Sequence, residues 1–182
     1  MEKGSKTSKE VEIPHGGQMQ IGDLKIAVKE IRIKRLLSGG EEAQVDLTII
    51  GENEETNISL SAGDGKGQAT NFACGRYAYT LLSADHASAR IQILPIEYGI
   101  DFCLPERGIV AFGDGLQILS EEVAHLDPEN TYFVTLAVTS RGEEKKLEFE
   151  LAARETAKKG ALGRIIWIIG VEPRLILRVK KA

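Results

Sequence analysis

Apolar and polar residues alternate along much of the chain, as they do in a β-strand with one buried face. The residues of 24–28 place Leu24, Ile26 and Val28 on one side, and residues 45–49 alternate strictly. Residues 90–93 and 174–179 repeat the pattern near the ends of the two halves of the chain. Such alternation predicts antiparallel sheets that pack one face on a core and turn the other to water.

Glycine-containing turn signals separate these runs, at residues 38–40, 51–53, 63–65 and 140–142. Their spacing predicts about six short strands in each half, which is typical of a sandwich or small barrel. One stretch departs from the pattern. We expect Ala152 to Ala161 to form a short helical turn or a mobile loop, and its counterpart from Asp64 to Ala73 is polar and rich in glycine.

The two halves of the chain also match each other, residues 14–94 against residues 105–179. The matched pairs include turn residues as well as apolar ones: Pro14 with Pro105, Gly17 with Gly108, Gly22-Asp23 with Gly113-Asp114, and Gly75-Arg76 with Gly163-Arg164. Two alternating stretches can align by chance, but agreement of glycines and turn acids favours a true repeat. A period this long indicates tandem domains, since solenoid repeats run to roughly 20–50 residues. The sequence therefore predicts an all-β protein of two tandem duplicated antiparallel β-sandwich (immunoglobulin-like) domains, at 11–98 and 99–182, after a flexible tail at 1–10.

Charge and hydropathy narrow the range of partners. The formal net charge is −4 and both signs are interspersed, whereas a nucleic-acid binder shows a basic face or stripe. We therefore expect no nucleic-acid partner, and no apolar run is long enough to predict a membrane span. No secretory leader is visible. Tandem sandwiches after a polar tether favour an extracytoplasmic (periplasmic or secreted) location, with a cytoplasmic one left open.

The two cysteines, Cys74 and Cys103, do not occupy equivalent positions of the repeat. A disulfide between the domains is one interpretation, if the compartment is oxidising. Two buried, inert thiols are the favoured one.

Metal and cofactor chemistry has little support. His15, His86 and His125 lie in separate segments, each expected in a turn or loop, and no zinc-ligand spacing occurs. The glycine-rich stretch 63–70 lacks the Walker spacing. We expect no cofactor and no metal, and a mobile hairpin loop at 63–70.

Acidic residues cluster at hairpin tips, at Glu52, Glu54-Glu55 and Glu143-Glu144, without a calcium-loop ladder. We interpret them as solvated. Asp23 and Asp114 follow turn glycines at the same position of the repeat, which predicts side-chain bonds to the turn backbone.

No serine stands in a nucleophile elbow and neither cysteine has a catalytic context. We therefore expect no catalytic residue and no enzyme activity. An unrecognised hydrolase with a histidine site between the domains remains a further alternative, because the members of a triad meet only in space.

Aromatic residues and arginine recur on equivalent strands, with Tyr77 and Tyr79 beside Arg76 and Trp167 beside Arg164. With His15, these residues are the candidates for contact with a ligand or partner. Tyr79 and Trp167 alternate in phase with core positions, so core anchors are the favoured interpretation for both. Each arginine is expected to pair with an equivalent glutamate, Glu30 or Glu122.

These observations predict a non-enzymatic binding or assembly module that contacts another protein, in a bacterial envelope or secreted setting. Presentation of loops or strand addition at a sheet edge would be its mechanism. The alternative is a carbohydrate-binding module that uses the strand aromatics, which requires their rings to lie at the surface.

Overall fold

The structure, a computed structural model, describes residues 8–51, 54–63 and 71–182. Within these ranges every regular element is a strand, which confirms the all-β prediction. The strands, in chain order, are β1 (Lys9–Pro14), β2 (Gln18–Ile21), β3 (Leu24–Arg35), β4 (Glu41–Ile50), β5 (Glu55–Gly63), β6 (Phe72–Cys74), β7 (Tyr77–Ala84), β8 (Ser88–Pro95), β9 (Asp101–Cys103), β10 (Ile109–Ala111), β11 (Gln117–Leu126), β12 (Thr131–Ser140), β13 (Glu143–Ala152), β14 (Ala157–Ala161), β15 (Arg164–Gly170) and β16 (Ile176–Lys181).

The chain forms two compact units. Unit 1 comprises Met1–Thr70 and Tyr79–Leu94, and unit 2 comprises Asn71–Ala78 and Pro95–Ala182. The sequence predicts a single domain boundary after residue 98. The structure assigns two segments from before that boundary, 71–78 and 95–98, to unit 2.

Unit 1 contains an antiparallel sheet in the order β2-β3-β4-β5 and the neighbouring strands β1-β8-β7. The alternation of residues 45–49 predicts a strand with one buried face, and Val45, Leu47 and Ile49 of β4 are buried as expected. Ile13 of β1 and Ile91 of β8 are fully buried as well, so both sets of strands contribute to the core of the unit.

Unit 2 contains the antiparallel sheet β10-β11-β12-β13 and a second set of paired strands, β6-β9-β16-β15-β14. A continuous apolar cluster draws on both sheets, with Leu136 and Phe149 from the first and Phe102, Ile166 and Leu177 from the second. The outward faces of the two sheets therefore lie on opposite sides of the unit, as in a sandwich.

Strand β6 completes unit 2 although it lies within the first half of the sequence. It pairs in parallel with β9 at Phe72 and Cys103, and Gly75 just after it forms a parallel bridge to Val110 of β10. The Gly75 amide donates to Ile109 at 2.9 Å, and Ala73 is 1% exposed within the unit 2 core. The segment thus satisfies backbone groups of strands from both sheets of unit 2.

The two units share local details at matched positions. In each, a glycine amide donates to a proline carbonyl three residues earlier at 2.8 Å, Gly17 to Pro14 and Gly108 to Pro105. A Cβ at Gly108 would lie 2.8 Å from the Pro105 oxygen, so the turn requires glycine. The register of β3 with β4 and of β11 with β12 shifts at a bulge in the same place. The repeat predicts such agreement; the duplication and the immunoglobulin-like type stay predictions.

The expectation for residues 152–161 is wrong. Strand β13 continues to Ala152, a turn follows, and Ala157–Ala161 form β14 at the edge of its sheet. Lys158, Lys159 and Gly160 are all exposed there, so the apolar alternation that marks other strands is missing. The predicted tail up to Thr7, Glu52 and most of the glycine-rich loop at 64–70 lie outside the described residues.

Cys74 and Cys103 are not joined by a disulfide. Cys103 is buried, and burial raises the pKa of its thiol to about 11. Both cysteines belong to unit 2, on the paired strands β6 and β9. Their offset of two residues in register corresponds to a Cα separation of about 8 Å, too long for a disulfide. Inert thiols were the favoured prediction, and Cys103 fits it.

Candidate interaction face

The outward face of β14, β15 and β16 carries a tryptophan between two cations. Trp167 of β15 lies directly opposite Lys158 of β14 and Arg178 of β16 in the antiparallel register. One step along, Ile165 lies opposite Lys180. Side chains on one face of a sheet recur every second residue, so Ile165 and Trp167 form the centre of this face. We call Lys158, Ile165, Trp167, Arg178 and Lys180 the basic face.

Three cations lie against the indole ring. The Lys180 Nζ is 4.8 Å from the ring centroid, the Lys158 Nζ is 5.5 Å away and the Arg178 Cζ is 5.9 Å away. Attraction between a cation and an aromatic ring is worth about 0.5–1 kcal/mol at exposed sites. The attraction to the ring therefore offsets part of the repulsion among the three cations, which lie together in a chain whose formal net charge is −4.

One of these cations is already paired. Arg178 binds Asp101 of β9 through two hydrogen bonds, of 2.6 and 2.8 Å, and the hydrogen bonds raise the pKa of the guanidinium. A bidentate pair fixes the orientation of an arginine. Lys158 and Lys180 form no ion pair with any residue that the structure describes. Their ammonium groups are the ones available to an anionic partner.

The predicted aromatic strip does not form as a unit. Tyr79 is fully buried, which confirms it as a core residue, and Tyr77 is half-buried. Trp167 is half-buried on the opposite side of β15 from the core residues Ile166 and Ile168, so its interpretation as a core anchor is wrong. The phase assigned from the repeat is shifted by one residue, and a shift of one residue moves a side chain to the other face.

A second polar constellation in unit 2 joins Tyr98, Asp114 and Arg164. The Tyr98 hydroxyl donates to the Asp114 carboxylate at 2.7 Å and accepts from the Arg164 Nε at 2.8 Å. The Arg164 Nη2 donates to Asp114 at 2.6 Å, and the Tyr98 ring stacks on Phe112 with centroids 4.7 Å apart. The cluster ties the segment before β9 to the β10–β11 turn and to the start of β15.

The bonding within this cluster indicates a structural role. Hydrogen bonds from Tyr98 and then Arg164 hold the pKa of Asp114 down at about 2, and burial raises the pKa of Tyr98. A carboxylate this acidic is a poor general base near neutral pH. Arg164 pairs with Asp114 and not with Glu122, so that expectation is wrong. Among the described residues Arg76 forms no ion pair and is exposed, so its expected pairing with Glu30 is wrong as well.

Turn bonding of the two repeat aspartates is only partly reproduced. Asp114 accepts a long hydrogen bond, 3.4 Å, from the Leu116 amide in addition to its bonds to Tyr98 and Arg164. The main partners of Asp114 are thus distant in sequence, which a local turn argument does not anticipate.

Two of the histidines lie in unit 1, where the His15 amide donates to the carbonyl of Ala87, the residue after His86, at 2.8 Å, and His125 lies in unit 2. His15 lies in the exposed turn before β2, and His86 lies in the exposed turn between β7 and β8. His125 is in β11, not in a loop as expected, and its ring stacks on Tyr132 with centroids 4.4 Å apart. Within the described ranges no group of three or more metal-ligating side chains occurs.

Two lysines occupy the open edges of unit 2. The Lys145 Nζ on β13 donates to the Gly160 carbonyl of β14 at 3.3 Å, and the Lys159 Nζ on β14 donates to the Glu148 carbonyl of β13. Lysines on edge strands hinder pairing with another chain. Strand addition at β13 or β14 is therefore disfavoured, and the flat basic face is the better candidate for contact.

Most of the basic face was missed in the sequence. Only Trp167 was predicted as a contact; Lys158, Arg178 and Lys180 were not. A signal was present, because Arg178 and Lys180 stand two residues apart on an alternating strand and so share its outward face. Lys158 could not be placed, since β14 was expected to be a loop.

Comparison of the chain with protein-family models, curated protein sequences and solved structures finds no match. In the part of the chain that the structure describes, no helix is long and apolar enough to cross a membrane.

Proposed function

We propose that the protein is a non-enzymatic binding module whose contact surface is the basic face of unit 2, and that its partner is an acidic protein surface. The observation that carries this proposal is the half-buried Trp167 ringed by Lys158, Arg178 and Lys180. Tryptophan and arginine are enriched at the energetic centres of protein interfaces. Complementary charge around them guides encounter and selects the partner.

The two free lysines support an acidic partner in particular. Each ammonium is exposed and lies within 5.5 Å of the indole centroid. A carboxylate placed between them would meet two cations over an apolar floor, where charges are screened less than in open water. The predicted envelope or secreted setting stays part of this proposal.

Carbohydrate binding is the second candidate function. It requires an aromatic ring that is not fully buried, and Trp167 meets this requirement whereas Tyr79 does not. A sugar would stack on the indole face. Lys158 and Lys180 already lie against that ring and would have to move aside. An acidic polypeptide uses the same lysines as ligands, so we favour it.

The test uses poly-L-glutamate as the acidic probe and a neutral linear oligosaccharide as the competing one. Trp167 is the only tryptophan of the chain, so its fluorescence reports on the basic face directly. We expect poly-L-glutamate to change the Trp167 emission, with an affinity that falls as salt is added. The double variant Lys158→Glu/Lys180→Glu should bind at least about tenfold more weakly, a loss of about 1.4 kcal/mol.

The matched control is Lys29→Glu/Lys34→Glu, which makes the same change of charge at exposed positions of β3 in unit 1. It should bind the probe as the unmodified protein does, apart from a small change in non-specific attraction. Equal weakening by both variants would overturn the proposal. A response to the neutral oligosaccharide with none to poly-L-glutamate would replace it by the carbohydrate alternative.

A further inference from the structure

The side of unit 2 opposite the basic face carries mainly acidic side chains. The outward face of the sheet β10-β11-β12-β13 carries glutamates across neighbouring strands. Thr135 of β12 lies between Glu122 of β11 and Glu148 of β13, and Phe133 lies opposite Glu150. We call Glu122, Phe133, Glu148 and Glu150, with Glu144 further along β13, the acidic face.

The negative charge of this face is offset only in part. Lys146 is the cation of this face, and it forms an ion pair of 3.1 Å with Glu121. Its hydrogen bond and attraction to Glu121 raise the pKa of Lys146, and the charges of Glu148 and Glu122 add to the effect. The carboxylates of Glu122, Glu144, Glu148 and Glu150 form no ion pair with a described residue.

The acidic face also exposes apolar side chains. Phe133 is 37% exposed and Leu126, two strand positions away on β11, is 47% exposed. The corresponding outward position of unit 1 is polar, since the repeat places Gln44 where Phe133 stands. These side chains give the acidic face apolar area that contact with another apolar surface would remove from water.

Ion pairs between opposite charges occur on the outward faces of both units. In unit 1, Arg32 is bonded to Asp46 at 2.5 Å and Arg90 is bonded to Glu10 at 2.5 Å. In unit 2, Arg178 pairs with Asp101 and Lys146 pairs with Glu121. What distinguishes unit 2 is the sign of the described charges left without an ion pair, which are lysines on the basic face and glutamates on the acidic face.

We propose that the acidic face of a second copy of this chain seats on the basic face, so that copies associate through unit 2 in a head-to-tail manner. The inference rests on the proposed function and names its partner. Lys158 and Arg178 flank Trp167 on the two neighbouring strands, and Glu122 and Glu148 flank Thr135 in the same way. The Cα atoms of each pair are therefore about 9.6 Å apart, two interstrand spacings. Because Arg178 is bonded to Asp101, the ammonium groups of Lys158 and Lys180 are the ones that would meet the carboxylates of the second copy.

The geometry makes the contact open-ended. The two faces are different surfaces on opposite sides of one unit, so a contact between them is heterologous, and it leaves one free face at each end of a pair. Three strands by about six residues give a flat area of roughly 300 Å² per face. This is below the area of a stable complex, so association is weak and requires high protein concentration.

The test is sedimentation of the full chain over about a hundredfold range of protein concentration, at low and at high salt. We expect the mean mass to rise with concentration and the rise to shrink with salt. Lys158→Glu/Lys180→Glu has two acidic faces and Glu148→Lys/Glu150→Lys has two basic ones, so each alone should remain monomeric. All four positions are exposed, and the far-ultraviolet circular dichroism and melting of each variant establish that it folds.

Mixing the two variants supplies the decisive result. Each retains one native face, and these two faces are complementary, so the equimolar mixture should associate at least as strongly as the unmodified chain. The control Lys29→Glu/Lys34→Glu should associate like the unmodified chain. A chain that stays monomeric throughout, or a mixture that does not associate, overturns the inference.

The two proposals fail separately. Binding of poly-L-glutamate to the basic face by a chain that remains monomeric would remove the second copy as partner and leave the binding module intact. Absence of both probe binding and self-association would remove both.

Discussion

Substitution of Ala73 by aspartate tests whether strand β6 is part of unit 2. Ala73 lies in the first half of the sequence, yet it is 1% exposed within the apolar cluster of unit 2, together with residues such as Phe102 and Ile166. A carboxylate at this position has to be buried among apolar side chains or to be exposed by unfolding. The substitution therefore acts on the stability of unit 2.

The cost follows from the protonation of the new carboxyl group. An aspartate with an unfolded-state pKa of about 3.9 is ionised at pH 7, and keeping it neutral in the core costs about 1.36 kcal/mol per pH unit, or about 4 kcal/mol. At pH 5 the same cost is about 1.5 kcal/mol. Because the folded state raises the pKa of this group, the penalty grows with pH above 3.9 and is relieved as the pH falls.

Urea denaturation followed by the fluorescence of Trp167, the sole tryptophan and a residue of unit 2, measures this change. With a urea dependence of about 2 kcal/mol per molar, the midpoint should fall by about 2 M at pH 7 and by less than about 1 M at pH 5. Unfolding without urea at pH 7, reversed at pH 5, would agree with the same reasoning.

Arg76→Asp is the matched control, since it places the same side chain three residues along the segment at an exposed position. Exposed substitutions usually change stability by less than about 0.5 kcal/mol. An Ala73→Asp midpoint equal to that of the control, or one independent of pH, would refute the placement of β6 in the core of unit 2.

Three further outcomes are expected. Asp114→Asn should cost about 1 kcal/mol, because its pKa shift from 3.8 to about 2 is worth about 2.4 kcal/mol before allowance for a side chain that is 34% exposed. Unmodified protein should lose this stability as the pH falls from about 4 to 2, and the variant should not, in melts recorded across that range. Gly108→Ala should lower stability by about 1–3 kcal/mol because its Cβ would meet Pro105, whereas Gly170→Ala, with open space, should not; equal melting temperatures would contradict this. Cys103 should react with a thiol reagent only after unfolding, because its thiol is buried and its pKa is about 11; rapid labelling of the native protein would exclude this environment.

Strands with a buried face could be predicted from the sequence because their alternation records that burial. Residues 45–49 show this, since Val45, Leu47 and Ile49 alternate with Asp46 and Thr48 and become the inward side of β4. Strand β14 could not be predicted, because an edge strand with exposed lysines buries little and carries no such record. The position of β6 in unit 2 could not be predicted either, because the alternation within a strand of three residues is too short to indicate which sheet it joins.

The candidate site was predictable only in part, for a physical reason. Trp167 was singled out from its residue type, but its face depends on register, and the register is set by β16 and β14 as well as by its own strand. Arg164 was assigned a local equivalent partner, whereas its partners Tyr98 and Asp114 come from positions 66 and 50 residues away. Such contacts are fixed by the fold and leave no spacing in the sequence.

Quenching of Trp167 fluorescence by acrylamide, measured as the protein concentration is raised, tests most directly whether the basic face is a contact surface. The half-buried indole should be accessible in dilute solution and should become progressively protected as copies cover it, with the protection absent in Lys158→Glu/Lys180→Glu. Addition of poly-L-glutamate to dilute protein should protect the ring in the same way. A quenching constant that stays the same at every concentration and with the acidic probe would contradict the assignment of this face.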